Sequence, residues 1–211
     1  RGGAIYTDNG NVTISNSTFI NTVALDGGAI FGAESIVTVM GSTFTYAVAS
    51  SYGGAIEAKC VTVSNSTFNN TKSGYAGGAI WGYNVTVSNS TFINTTSSNS
   101  DGGAIYGEIK VDVVDCQFVN NTAKCSGGVI YSDGSVIVSD STFNDTLAGV
   151  SGGAIYSCGA VSASYCNFTN IESNEAKYIY SKSRVTLLGN DYDGEIYYAE
   201  GDVIGNPIIN L

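Results

Sequence analysis

Catalysis needs paired acids, an activated nucleophile or a titrating base, and this chain offers few such groups. It has no histidine, and its only arginines are Arg1 and Arg184. Five cysteines (Cys60, Cys116, Cys125, Cys158, Cys166) contain no Cys-x-x-Cys pair and are odd in number. Neither a zinc framework nor a thioredoxin-like motif follows from them. No Ser or Cys has a visible activating base, and Lys110 beside Asp112 reads as an isolated charge pair on an exposed strand. Polysaccharide cleavage would require paired acids, or a Ca²⁺ cluster with a nearby base. That inventory is not met, so no enzymatic activity, catalytic residue or cofactor is expected. Asp115 and Asp140 hold equivalent positions 25 residues apart, but two ligands fall short of the six to eight oxygens a calcium ion takes. No metal site is expected either.

A different chemistry is offered by rings. Tyr6, Phe31, Trp81, Tyr106, Tyr131, Tyr156 and Tyr180 recur about every 25 residues, with Glu57 as the one interruption. Rings carrying polar handles suit stacking on sugars or anchoring a protein partner. The competing reading is that rings on adjacent coils stack to stabilise the sheet, or lie beneath loops. Asn-x-Ser/Thr sequons are frequent, and Asn69, Asn94, Asn120 and Asn144 are the most accessible candidates for N-glycosylation.

The elements that would position these residues repeat with the same period. Gly-Gly pairs begin at Gly2, Gly27, Gly53, Gly77, Gly102, Gly127 and Gly152, each followed by Ala-Ile or once Val-Ile. A phenylalanine keeps step at Phe19, Phe44, Phe68, Phe92, Phe118, Phe143 and Phe168. Two markers in phase are the signature of a solenoid. Each unit reads as three short strands: Gly-Gly-Ala-Ile-Tyr, then Val-Thr-Val or Val-Thr-Ile, then Ser-Thr-Phe. Apolar and polar residues alternate, β-branched types are enriched, and no helical period competes. The fold expected is all-β, a right-handed parallel β-helix of about eight coils, with hand taken from the general preference of parallel crossovers.

The invariant Ile, the Val pair and the Phe point inward, which leaves the Thr columns as exposed hydroxyl ladders. On this phase the Ala before Ile lies outside, with the ring after Ile on the same face. Asn16, Asn65 and Asn89 stand at a corner between the second and third strands, where Asn tolerates φ > 0. Cys116 and Cys166 take a small-residue column held elsewhere by Ser. They are two coils, roughly 10 Å, apart, too far for a disulfide, and read as buried free thiols. Spacing varies only between Gly-Gly and Phe and between Phe and the next Gly-Gly, so insertions belong on those two edges. Residues 1–175 form the regular coils, and 176–211 read as degenerate last coils and a C-terminal cap. With no capping segment ahead of Gly2, the chain is expected to be a fragment of something longer.

The net charge of −10 and pI near 4.1 oppose binding to nucleic acid or anionic lipid, both of which need clustered Lys and Arg. No apolar stretch is long enough to span a membrane as a helix.

The Gly-Gly-Ala-Ile motif paired with a Phe strand resembles the repeats of polymorphic outer-membrane protein passenger domains. The pairing of Gly2–Tyr6 with Val12–Phe19 is still more similar to the adhesin-like surface proteins of methanogenic archaea. The outer-membrane family's Phe-x-x-Asn is kept at Phe118–Asn121, whereas most coils place Asn two after Phe, which favours the archaeal type. The resemblance, over about residues 1–180, implies a right-handed β-helix displayed outside the cell. It also implies an adhesive role, with the ring column meeting a cell-surface glycan or protein and self-association along the rod as a further partner mode. The alternatives are a structural stalk or appendage subunit without ligand and, remotely, a polysaccharide lyase or hydrolase.

Overall fold

The computed structural model describes residues 1–193 and 200–205. It is all-β, with parallel strands stacked as a β-solenoid of about eight turns, about 25 residues apart. The stacking register is one repeat. Ile5 pairs with Ile30 and Phe19 with Phe44, and the same columns continue to Ile179 and, in the Phe column, to Tyr192.

Strand boundaries follow from what each residue can pack against. The first strand starts at Ile, not at Gly-Gly. In four coils it runs on without a break into the Val-Thr-Val segment, as Ile30–Met40, Ile56–Ser64, Ile80–Ser88 and Ile105–Val114. The Phe strand follows, for example Thr67–Asn69. A fourth, two-residue strand then pairs from coil to coil at Val23–Ala24, Val48–Ala49, Lys72–Ser73, Thr96–Ser97 and Thr122–Ala123. Extra residues are absorbed where the lengths vary: the register shifts between Gly32 and Ile36 and between Gly82 and Asn84.

Three corners per coil are left-handed, each a column through the rod. The first runs Asn16, Gly41, Asn65, Asn89, Asp115, Asp140, Tyr165, Gly189; the second Asn21, Tyr46, Asn70, Asn94, Asn120, Asp145, Asn170; the third is the first glycine of each pair from Gly27 to Gly152, then Ala176. All have φ between 45° and 65°. Gly, Asn and Asp predominate because they reach this region at least steric cost.

The second glycine answers a different demand. A Cβ on Gly78 would lie 2.0 Å from the Gly103 carbonyl oxygen and 2.7 Å from Thr96 backbone atoms. The Gly-Gly segment is therefore pressed against the next coil, and this corrects the expected phase of alanine. Ala29, Ala55, Ala79, Ala104 and Ala154 are fully buried. Strand alternation begins only at Ile, because the N–H groups of Ala and Ile both donate to one carbonyl on the next coil, as Ala55 and Ile56 do to Ala79 O at 2.8 and 3.0 Å.

Inside, the Phe rings stack face to face at 4.7–5.0 Å from Phe19 to Phe168 and continue onto Tyr192 at 5.1 Å. Beside them runs a polar spine. From Ser42 on, each Ser side chain of the small-residue column accepts from the backbone N–H one coil back and donates to the carbonyl two residues before itself, as Ser66 does with Ser42 N (3.1 Å) and Ser64 O (2.8 Å). Cys116 and Cys166 replace Ser in that spine, with thiols directed to Val114 O and Ser164 O. Every cysteine is free. Burial pushes the Cys116 and Cys166 thiols up to about 11, so thiolate reagents should not find them. We expect labelling at about pH 8 to modify only the partly exposed Cys60, Cys125 and Cys158 until the rod is unfolded. Mass spectrometry of the labelled peptides checks this, and early modification of Cys116 would contradict the spine.

In the region expected to be a degenerate end, strands Ile179–Ser181, Val185–Leu188 and Asp191–Tyr192 still pair with the coil before them, and Val203–Gly205 pairs with Val185–Leu187. The proposed capping segment, Gly194–Tyr198 and the last residues to Leu211, lies largely outside the described residues.

Candidate functional site

The stacking register assembles the ring column. Tyr6 pairs with Phe31, Phe31 with Glu57, Glu57 with Trp81, and Trp81 with Tyr106, Tyr131, Tyr156 and Tyr180 in turn. Tyr6 is exposed, Phe31 and Tyr180 are buried, and the remaining rings are half-buried. Centroids lie 6.3 Å apart at Trp81–Tyr106, then 5.0, 4.9 and 4.6 Å on to Tyr180, with interplanar angles of 2° to 13°. Tyr6 and Phe31 form a separate stack at 5.7 Å. Ring faces are thus turned on one another along the axis. What the column offers outward is edges and hydroxyls, not the flat faces that a sugar would stack on.

A flanking column two residues further on supplies its polar partners: Asp8, Ala33, Lys59, Tyr83, Glu108, Asp133, Cys158 and Lys182. Tyr6 donates to Asp8. The Tyr106 hydroxyl donates to Asp133 Oδ2 at 2.5 Å, and Tyr131 to Asp133 Oδ1 at 3.4 Å. Tyr131 also meets Cys158 Sγ at 3.7 Å. Burial first, then Asp133 for Tyr106 and Cys158 for Tyr131, holds both phenols well above their ordinary range, so they remain protonated donors. Glu108 is raised by burial and by Asp133. Two cations lie beside the rings: Arg1 Cζ is 5.5 Å from the Tyr6 centroid and 6.0 Å from that of Phe31, and Lys182 Nζ is 5.8 Å from that of Tyr156. Sequence reading missed this flank, although Tyr-x-Asp at Tyr6–Asp8 and Tyr131–Asp133 and Tyr-x-Glu at Tyr106–Glu108 were a visible signal.

Glu57, the interruption, is not a surface charge. It is 9% exposed, its Oε2 has no hydrogen-bond partner, and burial, then Asp26, pushes its carboxyl up to about 8. Tyr52 leans over the adjoining Trp81 at 5.6 Å.

The other candidates fall elsewhere. Asn94 and Asn120 sit in the second left-handed corner, where their Nδ2 groups donate along an amide ladder, Asn94 to Asn70 at 3.2 Å and Asn120 to Asn94 at 2.7 Å. Asn144 Nδ2 donates to Asp145 at 2.6 Å, and Asn69 uses its Oδ1 to accept from Asn70 at 2.9 Å. Asp115 and Asp140 take successive left-handed corners. Lys110 pairs with Asp112 at 2.8 Å. Two open grooves lie on the sheet that carries the Phe strands, away from the ring column. They share Leu147, Ile171, Glu172 and Lys177, and Lys177 is paired with Asp193 at 3.2 Å. Among the described residues no helix is long and apolar enough to cross a membrane.

One family model, the Chlamydia polymorphic membrane protein repeat, matches residues 115–133. That span is shorter than one coil and contains the one Phe-x-x-Asn of the chain. There Asn121 is fully buried and reaches back one coil, accepting from Thr95 N at 3.2 Å and donating to Phe92 O at 3.3 Å. The match also contains Tyr131 and Asp133. No curated protein and no solved structure matches the chain.

Proposed function

We propose that this chain is an adhesin-like β-solenoid of the cell surface, whose ring column and polar flank meet a glycan or a protein. The observation that carries the reading is the continuous row from Trp81 to Tyr180, held in register, with Tyr106 and Tyr131 hydroxyls on one shared carboxylate. A rod needs rings on every coil only for stiffness, but stiffness does not need the acid. Paired phenol donors on Asp133 leave lone pairs able to accept from ligand hydroxyls or amines. The β-solenoid fold and the match to a membrane-protein repeat support placement outside the cell, and glycans on the sequons would accord with it. Neither a catalytic role nor nucleic-acid binding is proposed.

The test exploits Trp81, the only tryptophan, stacked on Tyr106. Its emission is followed while cell-wall polysaccharides are titrated, first with the parent and then with Tyr106→Phe/Tyr131→Phe. That variant keeps both rings and removes both hydroxyls. We expect one glycan to shift the emission saturably, and the variant to bind it about tenfold more weakly with stability changed by no more than about 1–2 kcal/mol. An unaltered affinity would remove the hydroxyl flank from the binding face. A second reading, a stalk without ligand, draws on the same face-to-face stacking and predicts no response to any glycan or protein.

A further inference from the structure

The ring column breaks at one coil, and the break has its own chemistry. Phe31 lies one coil below Glu57 and Trp81 one coil above, so the faces that elsewhere cover each other are here separated by a carboxyl. Tyr52 flanks Trp81 at 5.6 Å, tilted by 42°. Asp26 adds a second negative charge close enough to act on Glu57. A buried carboxyl without a donor is uncommon, because it forfeits its hydrogen bonds to water and receives nothing in return.

We propose that this break is a subsite for one organic cation, the ammonium or guanidinium group of a lysine or arginine on a protein partner. In it the Glu57 and Asp26 carboxylates balance the charge, and the rings of Phe31, Tyr52 and Trp81 flank the alkyl stem. The inference rests on the ring column being a binding face, and narrows what it binds at this coil.

Three observations converge. The orphaned Oε2 of Glu57 marks an acceptor whose partner the fold itself does not provide. The chain's own cations already use this column: the Arg1 guanidinium donates to the Tyr6 hydroxyl at 2.6 Å and lies within 6.0 Å of the Tyr6 and Phe31 ring centres, and Lys182 Nζ lies 5.8 Å from the ring centre of Tyr156. Attraction of a cation to a ring face is strongest where water is excluded, and Glu57 is the one carboxyl of the column and is buried. The remaining lysine beside the break, Lys59, is committed to Glu34 at 2.9 Å and does not supply the charge. A divalent metal is a poor fit, since two carboxylates among rings do not furnish its oxygen shell. The overall charge of −10 adds long-range steering of a basic partner.

The experiment uses a short blocked peptide alternating lysine with glycine, and the same peptide with every lysine acetylated, each titrated against the full chain with Trp81 emission as readout. The lysine peptide should give a saturable change and the acetylated one none. Titrated above about pH 8, where the Glu57 carboxyl is ionised and lysine is still charged, Glu57→Gln, isosteric and uncharged, should weaken binding at least about tenfold, as expected for a partly buried charge pair that loses one member. Glu172→Gln, loss of an exposed charge several coils from the break, should leave affinity within about twofold. Asp26→Asn should weaken it about threefold and serves as the second variant. The subsite is overturned if the parent does not respond, if Glu57→Gln binds as tightly as the parent, or if Glu57→Gln and Glu172→Gln weaken binding alike, which would mean diffuse attraction to an acidic rod. A peptide that fails while a glycan still answers to Tyr106→Phe/Tyr131→Phe removes the cation subsite alone; failure of both removes the ring column as a binding face.

Discussion

Gly78→Ala is expected to break the rod at its fourth coil. One added methyl would sit 2.0 Å from the Gly103 carbonyl oxygen and 2.7 Å from the carbonyl carbon and nitrogen of Thr96. All three are backbone atoms, and Thr96 N is itself held by Thr71 O at 3.0 Å, so no side chain can swing away to make room. Overpacking of a core usually costs about 1–3 kcal/mol, and here the obstruction is backbone on two sides, so at least about 3 kcal/mol is expected. In a solenoid, stability is close to a sum of coils and coil interfaces. The lesion should therefore split a single melting transition into two, with the coils on either side of Gly78 unfolding at different temperatures. Calorimetry, or denaturant melts followed by Trp81 emission and by circular dichroism together, will show this. Lys177 provides the internal control. It fills the same slot in the last full coil, where no further Gly-Gly motif stacks on it among the described residues, and its ammonium pairs with Asp193 at 3.2 Å. Lys177→Ala should cost about 1 kcal/mol or less. A single transition displaced by less than that in Gly78→Ala would show that the close approach is not what glycine is there for.

The same contrast explains what could be read from residues and what could not. The Ile and Phe columns were legible because burial leaves a fixed side chain no choice, so repetition of type reports repetition of place. The corner at Asn16, Asn65 and Asn89 was legible for a related reason: few residues accept φ near 50°. The outward placing of alanine fails because alternation is carried back from Ile into Gly-Gly-Ala, which is not strand. The strand begins at Ile, and the preceding residues fold inward under the next coil's backbone. The fourth strand hid inside a segment that varies in length and carries residues as unlike as Val48 and Lys72. At the candidate site the column itself was visible, but ring orientation was not, since face-to-face stacking is decided between coils. Nor was the burial of Glu57: in one dimension a single acid among rings reads as a solvated exception, and only the stack shows what closes over it.

That burial makes stability depend on pH in a direction opposite to that of most carboxylates. Melting temperature should fall as pH is raised from about 4.5 to about 8, and Glu57→Gln should remove most of the fall. Folding lifts the Glu57 carboxyl from 4.5 to about 8, chiefly by desolvation and secondly through Asp26, with the chain's amino group acting the other way. Between those limits the folded state holds a proton that the unfolded chain has released. Stability is therefore complete below the unfolded value, declines through the interval, and levels off above about 8. The shift corresponds to roughly 2–5 kcal/mol, the upper figure being the full 1.4 kcal/mol per unit. Glu108, raised by burial and by Asp133, adds a smaller slope of the same sign that the Glu57→Gln variant keeps. Asp193 acts in a separate window. Burial raises it, but the Tyr178 hydroxyl, the Asn170 N–H and Lys177 together outweigh that and hold it below 3.8, so its contribution is lost only at more acid pH. Glu57→Gln should accordingly match the parent near pH 4 and melt higher near pH 8, because a neutral amide costs less to bury than a carboxylate. A variant less stable than the parent at both pH values would mean that the carboxyl accepts a hydrogen bond the fold depends on. Equal slopes in parent and variant would mean that water reaches it freely, and the cation subsite would lose its physical basis with it.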